Sequence, residues 1–86
     1  QSAEALDLLG WAFHLNRRPG EALATLRRAV ELDATSAGTQ YHLGAAAAQA
    51  GDMAMARRAY RRAIDLDTTG FYEERARKGL KGLERK

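Results

Sequence analysis

Apolar positions recur at three and four residues along this chain in five separate runs, each closed by a polar or glycine-containing break. From Ala3 to Asn16, Leu6, Leu9 and Phe13 fall together with Ala5 and Ala12, the period of an amphipathic helix. Ser2 stands ahead of this run as an N-cap, because a short hydroxyl accepts a hydrogen bond from an unpaired first-turn amide. A second helix is predicted from about Pro19 to Leu32, with Ala22, Leu23, Leu26, Ala29, Val30 and Leu32 apolar and Glu21, Arg27, Arg28 and Glu31 outside. Pro19 suits its first turn, where the missing amide proton costs little.

Asp33-Ala34-Thr35-Ser36 reads as a polar connection with a capping residue, and a third helix starts near Ala37 with Tyr41, Leu43, Ala46, Ala47 and Ala50 on one crowded face. Gly51 accepts the left-handed conformation that ends this helix, and Asp52 caps the next. The fourth helix spans about Met53 to Leu66 and packs with Met53, Ala56, Ala59, Tyr60, Ala63 and Ile64. After Thr68-Thr69-Gly70 a fifth runs from Phe71 to about Arg85, with Ala76, Leu80 and Leu83 on one face and Glu73, Glu74, Arg77, Lys78, Lys81 and Glu84 outside. Connections this short turn neighbouring helices antiparallel, so the fold class is all-α.

The helices repeat as pairs. A shift of 34 residues lays Leu9-Gly10 on Leu43-Gly44, Ala22 on Ala56, Arg27-Arg28-Ala29 on Arg61-Arg62-Ala63, and Leu32-Asp33 on Leu66-Asp67. With Ala3/Ala37, Ala12/Ala46 and Thr35/Thr69, 11 of 34 positions are identical. A period of 34 with two helices per unit is the signature of a tetratricopeptide array.

On these residues the chain resembles the tetratricopeptide repeat family over nearly its whole length, with repeat one at residues 3–36, repeat two at 37–70 and a helix at 71–86 similar to the family's capping helix. Leu43-Gly44, Ala56, Tyr60 and Ala63 occupy the family's Leu-Gly, Ala, aromatic and Ala positions; Leu9-Gly10, Ala22, Leu26 and Ala29 occupy them in repeat one. The resemblance implies one domain over residues 1–86: a right-handed α-α superhelix of two antiparallel helical hairpins closed by a fifth helix. The opening at Gln1 rather than Met reads as a piece of a longer protein. Gly44 and Ala56 remove bulk where the helices of a hairpin touch, and Tyr60 with Ala63 makes a knob and hollow toward the next helix. Two departures stand out: the family's aromatic at the fourth position is Leu6 and Gln40 here, and its Pro after the second helix is Ala34 and Thr68. The connections are therefore expected to be somewhat less rigid than in the family.

The resemblance also implies a function: a non-catalytic protein-protein interaction module that binds a peptide or protein segment in the concave groove. Carried over by position, that groove is lined by Asp7, Trp11, His14 and Leu15, by Tyr41, Ala45, Ala48 and Gln49, and by Tyr72 and Arg75. Trp11 and Tyr41 are its best anchors, since rigid rings give contact area at low entropic cost; burial of Trp11 against a preceding repeat is the competing use. One subgroup of the family clamps C-terminal carboxylates with Lys and Asn at its fifth and ninth positions. Asp7, Trp11, Tyr41 and Ala45 stand there instead, so no such clamp is expected.

Chemistry beyond binding finds little support. Neither His14 nor His42 has a carboxylate or second His three or four residues further on, so both read as solvent-facing polar residues rather than metal ligands. No Ser-His-Asp order or Gly-rich phosphate loop is visible, and neither enzyme activity nor a cofactor is expected. The absence of Cys excludes disulfides, thiolate metal sites and thiol catalysis. An 86-residue chain buries only about 60 to 65 per cent of its unfolded surface, so a core rich in Ala is thin.

The net charge of +3 hides an asymmetry: residues 1–55 hold four basic and six acidic groups, residues 56–86 ten and five. Arg27-Arg28, Arg57-Arg58 and Arg61-Arg62 raise a nucleic-acid reading, because spaced cations release counterions from phosphates. They fall on second helices, the convex side, where solvated faces with Glu and Asp nearby account for them better. No apolar run approaches the ~20 residues of a membrane span, and no basic-then-apolar leader opens the sequence. Leu6, Leu9, Trp11 and Phe13 are expected to expose an apolar edge on the first helix, met by self-association as a scaffold or by an upstream repeat. The Leu-Gly-Trp and Tyr-His-Leu-Gly pieces, with the basic closing helix, resemble the ends of arrays in bacterial proteins, some of them linked to the cell envelope; cytoplasm and envelope both stay open.

Overall fold

The computed structural model describes residues 2–84. Five helices follow in order: α1 (Ala3–Leu15), α2 (Pro19–Leu32), α3 (Ala37–Ala50), α4 (Met53–Leu66) and α5 (Phe71–Glu84). The expected ends of the fifth helix at Arg85 and of the capping segment at residue 86 lie outside the described residues.

Local chemistry sets the boundaries. Ser2, Ser36 and Asp52 each accept a hydrogen bond from an amide three residues on, the N-cap arrangement that satisfies an otherwise orphaned donor. Pro19 opens α2 behind Arg18, whose side chain caps nothing. α3 ends on Gly51 at φ 87°, in the left-handed region. Arg17, its counterpart after α1, is forced into the same region at φ 59° although it carries a Cβ.

The connection after each hairpin is built from one aspartate and one threonine. Asp33 Oδ1 accepts the Thr35 amide at 2.9 Å and its hydroxyl at 2.6 Å; Asp67 Oδ1 accepts the same two groups of Thr69 at 3.1 and 2.8 Å. These bonds stand where the family carries Pro. Gly70 replaces the cap that Ser36 provides in repeat one, and Asp67 fills that role as well, its Oδ2 accepting the amides of Tyr72 and Glu73 at 3.0 and 2.9 Å. Those donors, the Glu73 amide foremost, hold the Asp67 carboxyl down to about 2. Asp33 is lowered too, chiefly by the Thr35 hydroxyl.

Each helix packs on the next, and α3 also touches α1 and α5, so the first helices of the two repeats and the closing helix form one side. Small residues make this possible. Ala22, Leu26, Leu43, Ala46 and Ala59 form one buried cluster, with Phe13, Leu23, Val30 and Met55 packed against it. Ala47, Ala56, Tyr60, Ala63 and Ala76 form a second beneath Tyr41, Ile64, Leu80 and Leu83. With so many alanines the helices lie close, and the molecule is 18 Å across its thinnest dimension, under two helix diameters.

Tyr60 is the largest knob. A Cβ at Gly44 would lie 2.6 Å from its Cδ1, and one at Gly79 would lie 2.4 Å from its Cζ, so the ring is seated on two glycines, one on α3 and one on α5. Gly10 does the same for Leu26, whose Cγ would be 2.5 Å away. Burial pushes the Tyr60 hydroxyl up to about 12, helped by Tyr41 nearby. Gln40, at the family's aromatic position, is buried with its Nε2–H donated to the Ala34 carbonyl at 3.3 Å.

Some expected apolar positions are outward. Leu32 is 53% exposed, and Ala5, Ala12 and Ala50 are exposed as well. The predicted apolar edge of α1 is redistributed: Leu6 is buried and Phe13 packs inward, leaving Leu8 and Leu9 outside. Register explains Leu9. Its counterpart Leu43 is 7% exposed because α2 covers it, whereas nothing in the described residues covers Leu9, which is 48% exposed.

Candidate functional site

The side formed by α1, α3 and α5 carries a continuous group of rings. Trp11 and His14, three apart on α1, share one helix face and stack with centroids 4.8 Å apart. Contact between α1 and α3 brings His42 onto Trp11 at 4.3 Å and 29°, and Tyr41 to within 6.0 Å of it. Tyr72 on α5 then meets Tyr41 at 6.0 Å and His42 edge-on at 6.2 Å. Its approach depends on Gly38, where a Cβ would lie 3.0 Å from the Tyr72 ring. All five rings are half-buried, each with some surface left to solvent.

Both histidines depart from the solvent-facing reading. His42 Nδ1 lies 2.7 Å from Asp7 Oδ1, with both side chains largely covered. A one-helix search for partners cannot find this pair, because it bridges α1 and α3. The signal was an offset of 35, one repeat plus one residue, which places the two groups across adjacent first helices. His14 packs on Trp11 with Nδ1 buried and without a hydrogen-bond partner. Burial lowers its pKa, His42 adds to that, and nearby Gln49 opposes it. Among the described residues no three His, Asp or Glu side chains converge as metal ligands.

The remaining predicted groove residues scatter in role. Ala45 and Ala48 are half-buried, Ala48 packed against the second core cluster; Leu15 and Gln49 are exposed. Arg75 is turned along its own helix, its guanidinium 3.5 Å over the Phe71 ring and donating to the Phe71 carbonyl at 3.0 Å. Phe71, 51% exposed and edge-on to Tyr72, extends the aromatic side beyond the positions expected from sequence. His42, Gly38 and Phe71 are the members that sequence reading missed.

The arrangement brings together large rings from three helices and a carboxylate engaged by an imidazole. No described helix is long and apolar enough to cross a membrane. The tetratricopeptide repeat family model matches residues 3–36 and 37–69, one helical hairpin each. No curated protein and no solved structure matches the chain.

Proposed function

The chain belongs to the tetratricopeptide repeat family, and from that premise we propose that it is a non-catalytic interaction module whose α1, α3 and α5 face holds a peptide or protein segment. Repeats of this family are generally protein-protein interaction modules. The observation that carries the reading is the ring cluster of Trp11, Tyr41, His42 and Tyr72, drawn from three helices yet left half-exposed. Rigid aromatic surface of this kind is enriched among residues that dominate binding energy. Asp7 fixes His42, so the cluster is organised before a ligand arrives and less entropy is lost on binding. The test is a pull-down with the wild type beside a Trp11→Ala, Tyr41→Ala double variant. Partners captured by the wild type and lost from the variant support the face; partners retained by both place binding elsewhere.

A second reading, self-assembly into a scaffold, has its own observation: Leu8 and Leu9 stand 72% and 48% exposed side by side on α1. Apolar side chains left uncovered on a repeat are where a neighbouring unit stacks. Sedimentation of the wild type and of Leu9→Glu across a range of concentrations separates the two, because self-assembly raises the mass of the wild type with concentration and leaves the variant monomeric.

A further inference from the structure

A cleft of about 300 Å³ opens between α2 and α4 over α3, and none of the rings of the aromatic face lines it. Its floor is aliphatic, made by Val30, Leu43, Met55 and Ala59, with the buried Gln40 beside them. Its rim is cationic: Arg27 from α2, and Arg58 and Arg62 one helical turn apart on α4, all exposed. Glu31 is the one carboxylate in the lining. Among the described residues the ion pairs are Arg18–Glu21, His42–Asp7, Arg77–Glu73 and Lys78–Glu74, and none engages these three guanidiniums.

We infer that the cleft between α2 and α4 receives an acidic peptide segment, an apolar side chain entering over Val30 and Met55 while flanking carboxylates meet Arg27, Arg58 and Arg62. Charge complementarity sets the sign of the ligand. Like charges gathered over a floor of low polarity repel one another, and an anion between them reverses that interaction. A guanidinium presents a planar fork that matches a carboxylate with two parallel hydrogen bonds. The volume stands at the small end of known ligand pockets, enough for one large side chain rather than a whole helix.

Two observations favour peptide over nucleic acid. The cleft lining contains no aromatic ring on which a base could stack. The arginines also fail to form a track: Arg57 and Arg61 lie on the other flank of α4, in a separate cleft with Leu80, Leu83 and Glu84. A phosphate backbone is neutralised by cations in a continuous path, which this division interrupts. The inference is independent of the aromatic face and survives or fails without it.

Fluorescence polarisation at low salt tests it, with a labelled peptide of alternating Glu-Glu and Leu as the probe. The wild type binds, the double variant R58E/R62E weakens binding by about tenfold or more, and R57E/R61E, with the same change in net charge, by about twofold or less. A peptide with Gln in place of Glu does not bind. R58Q/R62Q repeats the comparison if charge reversal disturbs the helical circular dichroism. No binding by the wild type, equal losses in the two double variants, equal binding of the Gln peptide, or displacement by single-stranded RNA at the same concentration as unlabelled peptide would each overturn the inference.

Discussion

Asp7 Oδ1 and His42 Nδ1 meet at 2.7 Å across 35 residues of chain, and this contact joins the first helices of the two repeats on the aromatic side. Each partner is partly shielded from water, so removing one leaves the other polar group without its bond. Asp7→Ala or His42→Ala should each lose about 1 to 3 kcal/mol by urea unfolding, the range for leaving a shielded polar group without its hydrogen bond. The double variant should lose less than the sum of the two. Additive losses would mean that the groups do not act as a pair.

Tyr60 fills the space over Gly44 and Gly79, so either glycine tolerates no added methyl without displacement of the ring. Gly44→Ala and Gly79→Ala should each destabilise by about 1 to 3 kcal/mol, the usual penalty of overpacking. Replacing Tyr60 by Leu in the Gly79→Ala background should recover part of that loss. Chemical denaturation of the four proteins gives the coupling directly, and no recovery would show that the ring is not what Gly79 accommodates.

Comparison of the two hairpins identifies a stabilising change. Repeat two ends its first helix on Gly51 and caps the next with Asp52; repeat one uses Arg17 in the left-handed region and the non-capping Arg18. Arg17→Gly with Arg18→Asp should raise stability by about 1 to 2 kcal/mol, from relief of the Cβ clash and a new cap. Thermal melting checks this, with a rise in Tm as the expected result.

Acid should act through the connection after α4. Asp67 is held at about 2 in the fold, below its ordinary value near 3.8, so its contribution is complete above pH about 4 and lost as pH falls toward about 2. Asp67→Asn should therefore melt below the wild type at neutral pH, with the gap closing across that window. A gap that stays constant would remove the carboxylate from the account.

His14 acts in a different window. Its folded pKa is lowered, so as pH falls through about 6.5 the unfolded chain takes up a proton more readily than the fold does, and stability declines. His14→Gln should remove this component, and the stability of wild type relative to variant should fall as pH drops from about 8 through about 6.5. A pH-independent difference would contradict it.

Helix boundaries were readable because caps and breakers act within a few residues: Ser2, Pro19, Gly51 and Asp52 each do locally what their chemistry dictates. The small-residue seams were readable at Gly44 and Ala56 because the duplication showed them twice. Gly79 lies beyond the second repeat, with no counterpart to mark it, and the other seat of Tyr60 was missed. Leu9 looks the same as Leu43 in sequence, but its burial depends on a neighbour that only the tertiary arrangement reveals. The pairing of His42 with Asp7 was hidden for the same reason, since periodicity within one helix carries no information about the helix beside it.

The Asp33–Thr35 and Asp67–Thr69 connections place each chain reversal within three neighbouring residues. A 34-residue unit of this kind carries its own hinge along with both rods, so a tandem copy reverses direction with the bonds already inside it. Such a chain lengthens by copying and diversifies by repainting its faces.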